Sequence, residues 1–205
     1  MLSSPCKSVV LCITGGIACG KSTVGRIFES MGFVMCDADG VAHELLKKDT
    51  PVYRKVVEQF GDEVLAPDGE ISRPKLGAVV FENSEQRIRL NQLVHPAVKA
   101  ALDDWISERR KCGENAAVQL PLVFESGMDS MDWDGIICVS SDPSTVLERL
   151  EKRGLCRADA LKRISAQMLL KEKEKRADRV IYNLGTVKEL EAETRRVVES
   201  LMLER

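Results

Sequence analysis

The 205-residue sequence has no apolar run approaching the ~20 residues of a membrane-spanning helix, so a helical anchor is not expected. Nor does it carry an excess of charge. Its 30 basic and 32 acidic residues leave a formal net charge of -2, which gives no global attraction to nucleic acid or anionic lipid, so any basic site must be local. The seven cysteines (Cys6, Cys12, Cys19, Cys36, Cys112, Cys138 and Cys156) include no C-x-x-C pair and no zinc-ligand spacing. Their odd number, and the placing of Cys12, Cys36 and Cys138 in apolar strand-like runs, fit reduced thiols of a cytoplasmic protein. Internal repeats, low-complexity stretches and a flexible linker are missing. The short N-terminal lead, with one Lys before an immediate strand, is not a convincing signal or transit peptide. With 44% hydrophobic and 30% charged residues, the chain reads as one ordinary globular domain able to bury a core without staples. The expected partner is a small molecule, with no nucleic acid and no membrane, and the expected state a monomer or small homo-oligomer.

What is present begins with Gly15-Gly16-Ile17-Ala18-Cys19-Gly20-Lys21-Ser22-Thr23, which fits G-x-x-x-x-G-K-[ST]. Val9 to Ile13 before it form an apolar run of buried-strand length, and Val24, Ile27, Phe28 and Met31 after it recur at helical spacing. Strand, glycine-rich turn and helix are the context in which backbone N–H groups and a helix N-terminus cradle phosphate. Lys21 is placed to reach the β- and γ-phosphates of a nucleotide and the Ser22 hydroxyl to ligate Mg²⁺. The absence of an N-K-x-D stretch argues against a GTP switch.

A second short strand, Phe33 to Cys36, runs into Asp37-Ala38-Asp39, and strand alternation predicts that the two carboxylates leave on one side. Ligands of open α/β sheets bind outside the carboxyl ends of the strands. The pair therefore reads either as a helix N-cap or as the acids of phosphoryl transfer to a hydroxyl, one accepting a proton and one near the metal. From about Thr50 to Gly113 the strand–helix alternation gives way to helical segments. They are stopped at Gly61, turned at Pro67-Asp68-Gly69 and broken at His95-Pro96. Strands resume at 116–120 and 135–140, and Asp142-Pro143 predicts a helix start. Arg149, Lys152, Arg153, Arg157, Lys162 and Arg163 then read equally as a solvated face or as a lid carrying arginines over phosphates. The last strand is expected at 179–183, and Thr186-Val187-Lys188-Glu189 predicts a capping box opening a final helix.

Together these segments resemble the dephospho-coenzyme A kinase family, from Leu11 to about Leu201. The residues that carry the likeness are Ile13-Thr14-Gly15-Gly16-Ile17, Asp37-Ala38-Asp39, Phe60-Gly61 with Asp68-Gly69, Val80-Phe81, His95-Pro96, Pro121-Leu122-Val123-Phe124-Glu125, and Ala177-Asp178 with Val180-Ile181 and Asn183. The resemblance implies a P-loop NTPase α/β fold, with a parallel five-stranded sheet flanked by helices. It also implies a core at about 8–36, 114–148 and 178–205, a helical acceptor-binding insertion at about 40–113 and a lid at about 149–177. It implies ATP- and Mg²⁺-dependent phosphorylation of the ribose 3′-hydroxyl of dephospho-CoA, with Asp39 as base and Asp37 beside the metal. It assigns the ATP phosphates to Ala18 through Thr23, with Gly16, and lid contacts to the Arg149 region. Adenine-side contacts fall near Asn183, and Arg73 and His95 fall in the coenzyme-binding part. His95 reads equally as a packed imidazole, and Glu125 either as an anchor for the metal or acceptor or as a helix-start acid.

Three departures from the family pattern matter. Ala18 and Cys19 stand where glycine and serine are usual, and alanine enters the turn only if its position needs no positive φ. Gln119 replaces a common acid in the third strand and supplies no charge to a metal-bound water, which leaves more to Asp37. Arg153 is followed by Gly154 where an arginine–aspartate pair is usual. Cys19 itself reads as a small residue tolerated in a tight loop, or as a thiol acidified by the helix N-terminus and Lys21.

Overall fold

The computed structural model describes residues 8–204, the side chains of Phe81 and Glu82 excepted; Cys6 and the Phe81 side chain lie outside the described residues. β1 (Val10–Gly15), β2 (Val34–Asp37), β3 (Ala116–Gln119), β4 (Gly135–Ser140) and β5 (Arg179–Tyr182) form one parallel sheet in the order β2-β3-β1-β4-β5. Every residue of β1 and β4 is buried, as expected when helices cover both faces of a parallel sheet. Each Val, Leu or Ile taken fully out of water there contributes about 1.5–3 kcal/mol. β2 is half-buried rather than fully buried as its composition suggests, because it is an edge strand with a sheet partner on one side only.

The chain divides into two compact units, one holding the sheet (the chain up to Asp37 and from Ile106 onward) and one made of Ala38–Trp105. In the sheet unit α1 (Lys21–Ser30) lays Val24, Ile27 and Phe28 into the core, where Phe28 meets Phe33 edge to face with ring centroids 5.0 Å apart. α6 (Pro143–Lys152), α7 (Arg157–Ser165) and α8 (Leu170–Arg176) follow β4. Asp142 is the residue at the N-cap of α6, as its sequence suggests, yet its side chain makes no capping bond. α9 (Val187–Leu203) opens with the predicted box, Thr186 and Glu189 bonding reciprocally, and buries Leu190, Val197, Val198 and Leu201.

The second unit contains α2 (Ala38–Leu45), α3 (Pro51–Phe60), α4 (Arg73–Glu82) and most of α5 (Ser84–Cys112). Thr50 and Ser72 cap α3 and α4 by accepting from the amides of Tyr53 and Lys75. The Pro67–Gly69 turn is held by the Tyr53 hydroxyl, which donates to the Gly69 carbonyl at 2.5 Å. The break expected at His95-Pro96 does not occur, since α5 runs continuously through Pro96. The proline removes one amide donor from a 29-residue helix, and the remaining ladder and the buried Val94, Val98 and Leu102 carry it across.

At the amino-terminal edge of the sheet Asp134 ties three pieces together: its Oδ2 accepts from the Val10 amide at 2.7 Å and from Arg110 at 2.8 Å. Its side chain is 9% exposed, so removing it leaves the buried Val10 amide without its acceptor and takes one of two carboxylates from Arg110, which keeps Asp132 at 3.2 Å. Asp134→Ala should lower stability by about 3 kcal/mol. Asp134→Asn, which keeps the acceptor for Val10, should cost clearly less. Urea midpoints measure both, and a loss under about 1 kcal/mol for the alanine variant would remove the anchoring role.

Candidate active site

The turn from Gly16 to Gly20 links the central strand to α1, and its geometry follows from what lies behind it. Gly15 (φ 138) pairs with Val139 of β4, and a Cβ there would overlap the Val139 carbonyl. Gly20 (φ 106) abuts the Asn183 side-chain amide just as closely. Ala18 has φ 57, so the condition that this position needs no positive φ fails. Its left-handed backbone costs about 1–2 kcal/mol relative to the right-handed form, and it must be held by its surroundings.

Those surroundings are side chains that satisfy the carbonyls of the turn. Arg149 Nη1 donates to the Ala18 carbonyl at 3.1 Å, and Asn183 Nδ2 to the Cys19 carbonyl at 2.9 Å. Lys21 Nζ donates to Gly15 and Gly16 at 3.2 and 2.8 Å. Arg149 therefore stands at the turn and not on a purely solvated face. Asn183, expected on the adenine side, is buried with its amide donor directed to the backbone of the turn. Its own carbonyl accepts from Ser141 Oγ at 2.8 Å. Thr23 follows in the first turn of α1, its amide bonded to the Gly20 carbonyl at 2.9 Å.

The reading of Cys19 as an acidified thiol is corrected. The residue is 1% exposed, and burial raises its pKa, outweighing the opposing charges of Lys21 and Arg149. Burial also pushes the thiols of Cys36 to about 11 and Cys138 to about 12. Every cysteine among the described residues is a free thiol.

Beside the helix N-terminus, Ser22, Asp37 and Gln119 line one cleft of ≈ 310 Å³, with Arg26 and Glu29 on its wall. Asp37 and Gln119 sit opposite each other in the β2–β3 register. The shared face predicted for Asp37 and Asp39 rests on strand alternation, and that alternation ends at Asp37: α2 begins at Ala38, which puts the exposed Asp39 in a helical first turn. Arg73 is exposed at the start of α4. His95 lies within α5, half-buried, and burial lowers its pKa. Among the described residues no three His, Cys, Asp or Glu side chains gather as a metal cage.

Glu125 is an anchor for a helix. Its Oε1 accepts from Lys173 Nζ at 2.8 Å and from the Met168 amide, just ahead of α8, at 2.9 Å. Lys173 is fully buried and also donates to the Pro121 carbonyl at 2.7 Å. Gln167 accepts from the Ile17 amide at 3.2 Å. Neither Lys173 nor Gln167 stands out in the sequence. Lys173 hides in a run of charges, and its only signal is the three-residue spacing from Leu170 that puts it on the inner face of α8.

Residues 9–189 match the dephospho-CoA kinase family model. The chain belongs to the dephospho-CoA kinase family. A Bacillus cereus dephospho-CoA kinase is 47% identical over 184 residues, covering 89% of this chain and 92% of that one. The crystal structure of a Thermus thermophilus protein superposes with a TM-score of 0.79 at 30% identity, covering 96% and 97% of the two chains. A dephospho-CoA kinase from Campylobacter jejuni gives 0.70 at 28% identity, covering 95% and 98%. The kinase converts dephospho-CoA to CoA with ATP, the last step of coenzyme A biosynthesis. No helix among its described residues is long and apolar enough to cross a membrane.

The Asn183 contact is testable on the kinase by stability alone. Asn183→Ala leaves the Cys19 carbonyl without that donor and should cost about 1–3 kcal/mol. Asn183→Asp turns an acceptor toward the same carbonyl and should cost more. Thermal unfolding reads the order, and equal losses would contradict it.

Proposed function

We propose that the Gly16–Thr23 turn holds the triphosphate of ATP and that Asp39 takes the proton of the ribose 3′-hydroxyl as its oxygen attacks the γ-phosphorus in line. The O3′–Pγ bond forms, the bond from Pγ to the β–γ bridging oxygen breaks, and ADP leaves. What carries this reading is the carbonyl side of the turn. A trans peptide points its N–H opposite to its C=O. With the Cys19 carbonyl taken by Asn183, the amide of Gly20 in the same peptide points the other way, as an anion cradle needs, while the Cys19 amide closes the turn on the Gly16 carbonyl at 3.3 Å.

Lys21, Ser22 and the backbone of Gly16, Ala18, Cys19, Gly20 and Thr23 are the phosphate contacts in this reading. Asn183 acts by holding the turn beside the nucleotide. Arg149 sits one hydrogen bond from the turn and supplies positive charge as negative charge moves between oxygens. Mg²⁺ fits the Ser22 hydroxyl and the Asp37 carboxylate, since both are hard oxygen donors lining one cleft and this ion takes one or two protein oxygens together with phosphate and water. Bound there, it would offset charge on the β- and γ-phosphates. Asp37 and Glu29 are acids of that cleft, and Asp37 stands opposite the neutral Gln119. The 40–113 segment, with Arg73 and a His95 kept neutral by burial, is the acceptor-binding part, and 149–177 the lid whose closure excludes water. A net charge of -2 and buried free thiols support a cytoplasmic enzyme of small molecules, monomeric or a small homo-oligomer, without nucleic acid.

A positioned general base contributes about 10²- to 10⁴-fold, so Asp39→Asn should lose turnover by that order while ATP still binds. Unchanged turnover would take Asp39 out of the mechanism. Lys21→Ala should raise the KM for ATP and lower kcat together. Phosphate transfer to dephospho-CoA, measured against a panel of nucleoside monophosphates, tests the acceptor. Equal use of a monophosphate would point to a nucleotide kinase, and ATP binding without transfer to an ATP-sensing module.

A further inference from the structure

On the amino-terminal side of the strained Ala18, Ile17 packs against the core and the Gly16 carbonyl accepts from Lys21 Nζ at 2.8 Å and from the Cys19 amide at 3.3 Å, which leaves the Ile17 amide as the other polar group of the Gly16–Ile17 peptide. A cavity of ≈ 520 Å³ flanks Gly16 and Ile17, walled by Val146, Leu161, Gln167 and Leu170. Across it the Ile17 amide donates to Gln167 Oε1 at 3.2 Å, from 150 residues away in sequence.

Gln167 is itself well rooted. The next residue, Met168, donates its amide to Glu125, which is paired with the fully buried Lys173. Lys173 also donates to the Pro121 carbonyl, and that carbonyl accepts from Thr14 Oγ1 at 3.0 Å. Thr14 precedes the turn directly. The 167–173 segment is thus bonded to the chain on both sides of Gly15, through Gln167 to Ile17 and through Lys173 and Pro121 to Thr14.

We propose that Gln167 is a positioning residue for ATP: by fixing the Gly16–Ile17 peptide it holds Ala18 in its left-handed conformation and so keeps the turn in its anion-binding shape. A residue in a sparsely populated backbone region persists only when its neighbours over-determine it. The contact therefore weighs more in this chain, with alanine at position 18, than it would with glycine there. This rests on the reading of Gly16–Thr23 as the ATP phosphate site.

The test uses the full-length enzyme and measures kcat, the KM for each substrate and the melting temperature. Gln167 is half-buried at the rim of a cavity, and Gln167→Leu keeps its bulk while removing the acceptor. The KM for ATP should rise about five- to tenfold, as for the loss of one hydrogen bond. The KM for dephospho-CoA should stay within about twofold, with little change in melting temperature. In an Ala18→Gly background, where the strain is gone, the same substitution should raise the KM for ATP only about twofold. An unchanged KM for ATP, an equal loss in both backgrounds, or a joint rise of both KM values with a lower melting temperature would each overturn the proposal. Lys21→Ala separates the two readings. If it leaves ATP binding intact, the phosphate-site reading fails; if it abolishes binding while Gln167→Leu changes nothing, only the positioning role fails.

Discussion

A peptide that offers its N–H to an anion turns its C=O the opposite way, and that carbonyl must find a donor or remain unsatisfied. In this chain side chains from α1, α6 and the end of β5 meet that condition. Arg149 from α6 bonds the Ala18 carbonyl, Asn183 from the end of β5 bonds the Cys19 carbonyl, and Lys21 bonds Gly15 and Gly16. Lys21 is local, but Arg149 and Asn183 come from far along the chain, so the turn gains these two donors only once β4, α6 and β5 are in place. The glycines at 15 and 20 belong to the same condition: each lets a distant element, the β4 backbone or the Asn183 amide, approach where a side chain would stand.

The buried Lys173 is the second organising charge. An ammonium removed from water costs several kcal/mol unless it is paired and hydrogen-bonded, and here it has a carboxylate and a carbonyl within 2.8 Å. The pair fixes direction more than it adds stability. It orients α8 and the Pro121–Glu125 stretch with respect to Thr14, and so gives the segment that leads from α7 into α8 a defined root. Ser140 adds to this from the neighbouring strand, donating to Glu174 at 2.6 Å.

Much of this was legible in the sequence, and for local reasons. The strands at the centre of the sheet are unbroken apolar runs, the box at Thr186 and the stop at Gly61 are written in adjacent residues, and the turn at 15–23 carries its own pattern. What could not be read depends on distant partners. Nothing near Ala18 says that its backbone is left-handed, because the forces holding it come from α6 and from residue 167. Cys19 looks acidified from its neighbours in sequence, yet its burial in the core outweighs them and raises its pKa. Strand alternation would hold Asp37 and Asp39 on one side only if the strand ran past Asp37, but the chain turns helical at once. The break expected at Pro96 failed because a single missing hydrogen bond is small against the length of α5 and its buried face.

The central strand also shapes how the chain acquires its structure. Among the described residues β1 pairs with β3 and β4, so a ribosome releases it long before either neighbour exists, and its apolar residues must wait. Contacts of such separation make folding slow and leave the nascent chain open to misassociation. By contrast, the stretch between Asp37 and Ala116 forms its own helices, and lengthening a flexible turn between them adds only about 0.6 kcal/mol of closure entropy for each doubling of that turn. Evolution could therefore resize those turns at little thermodynamic cost, while the order in which the strands are synthesised stays a kinetic burden on every version of the chain.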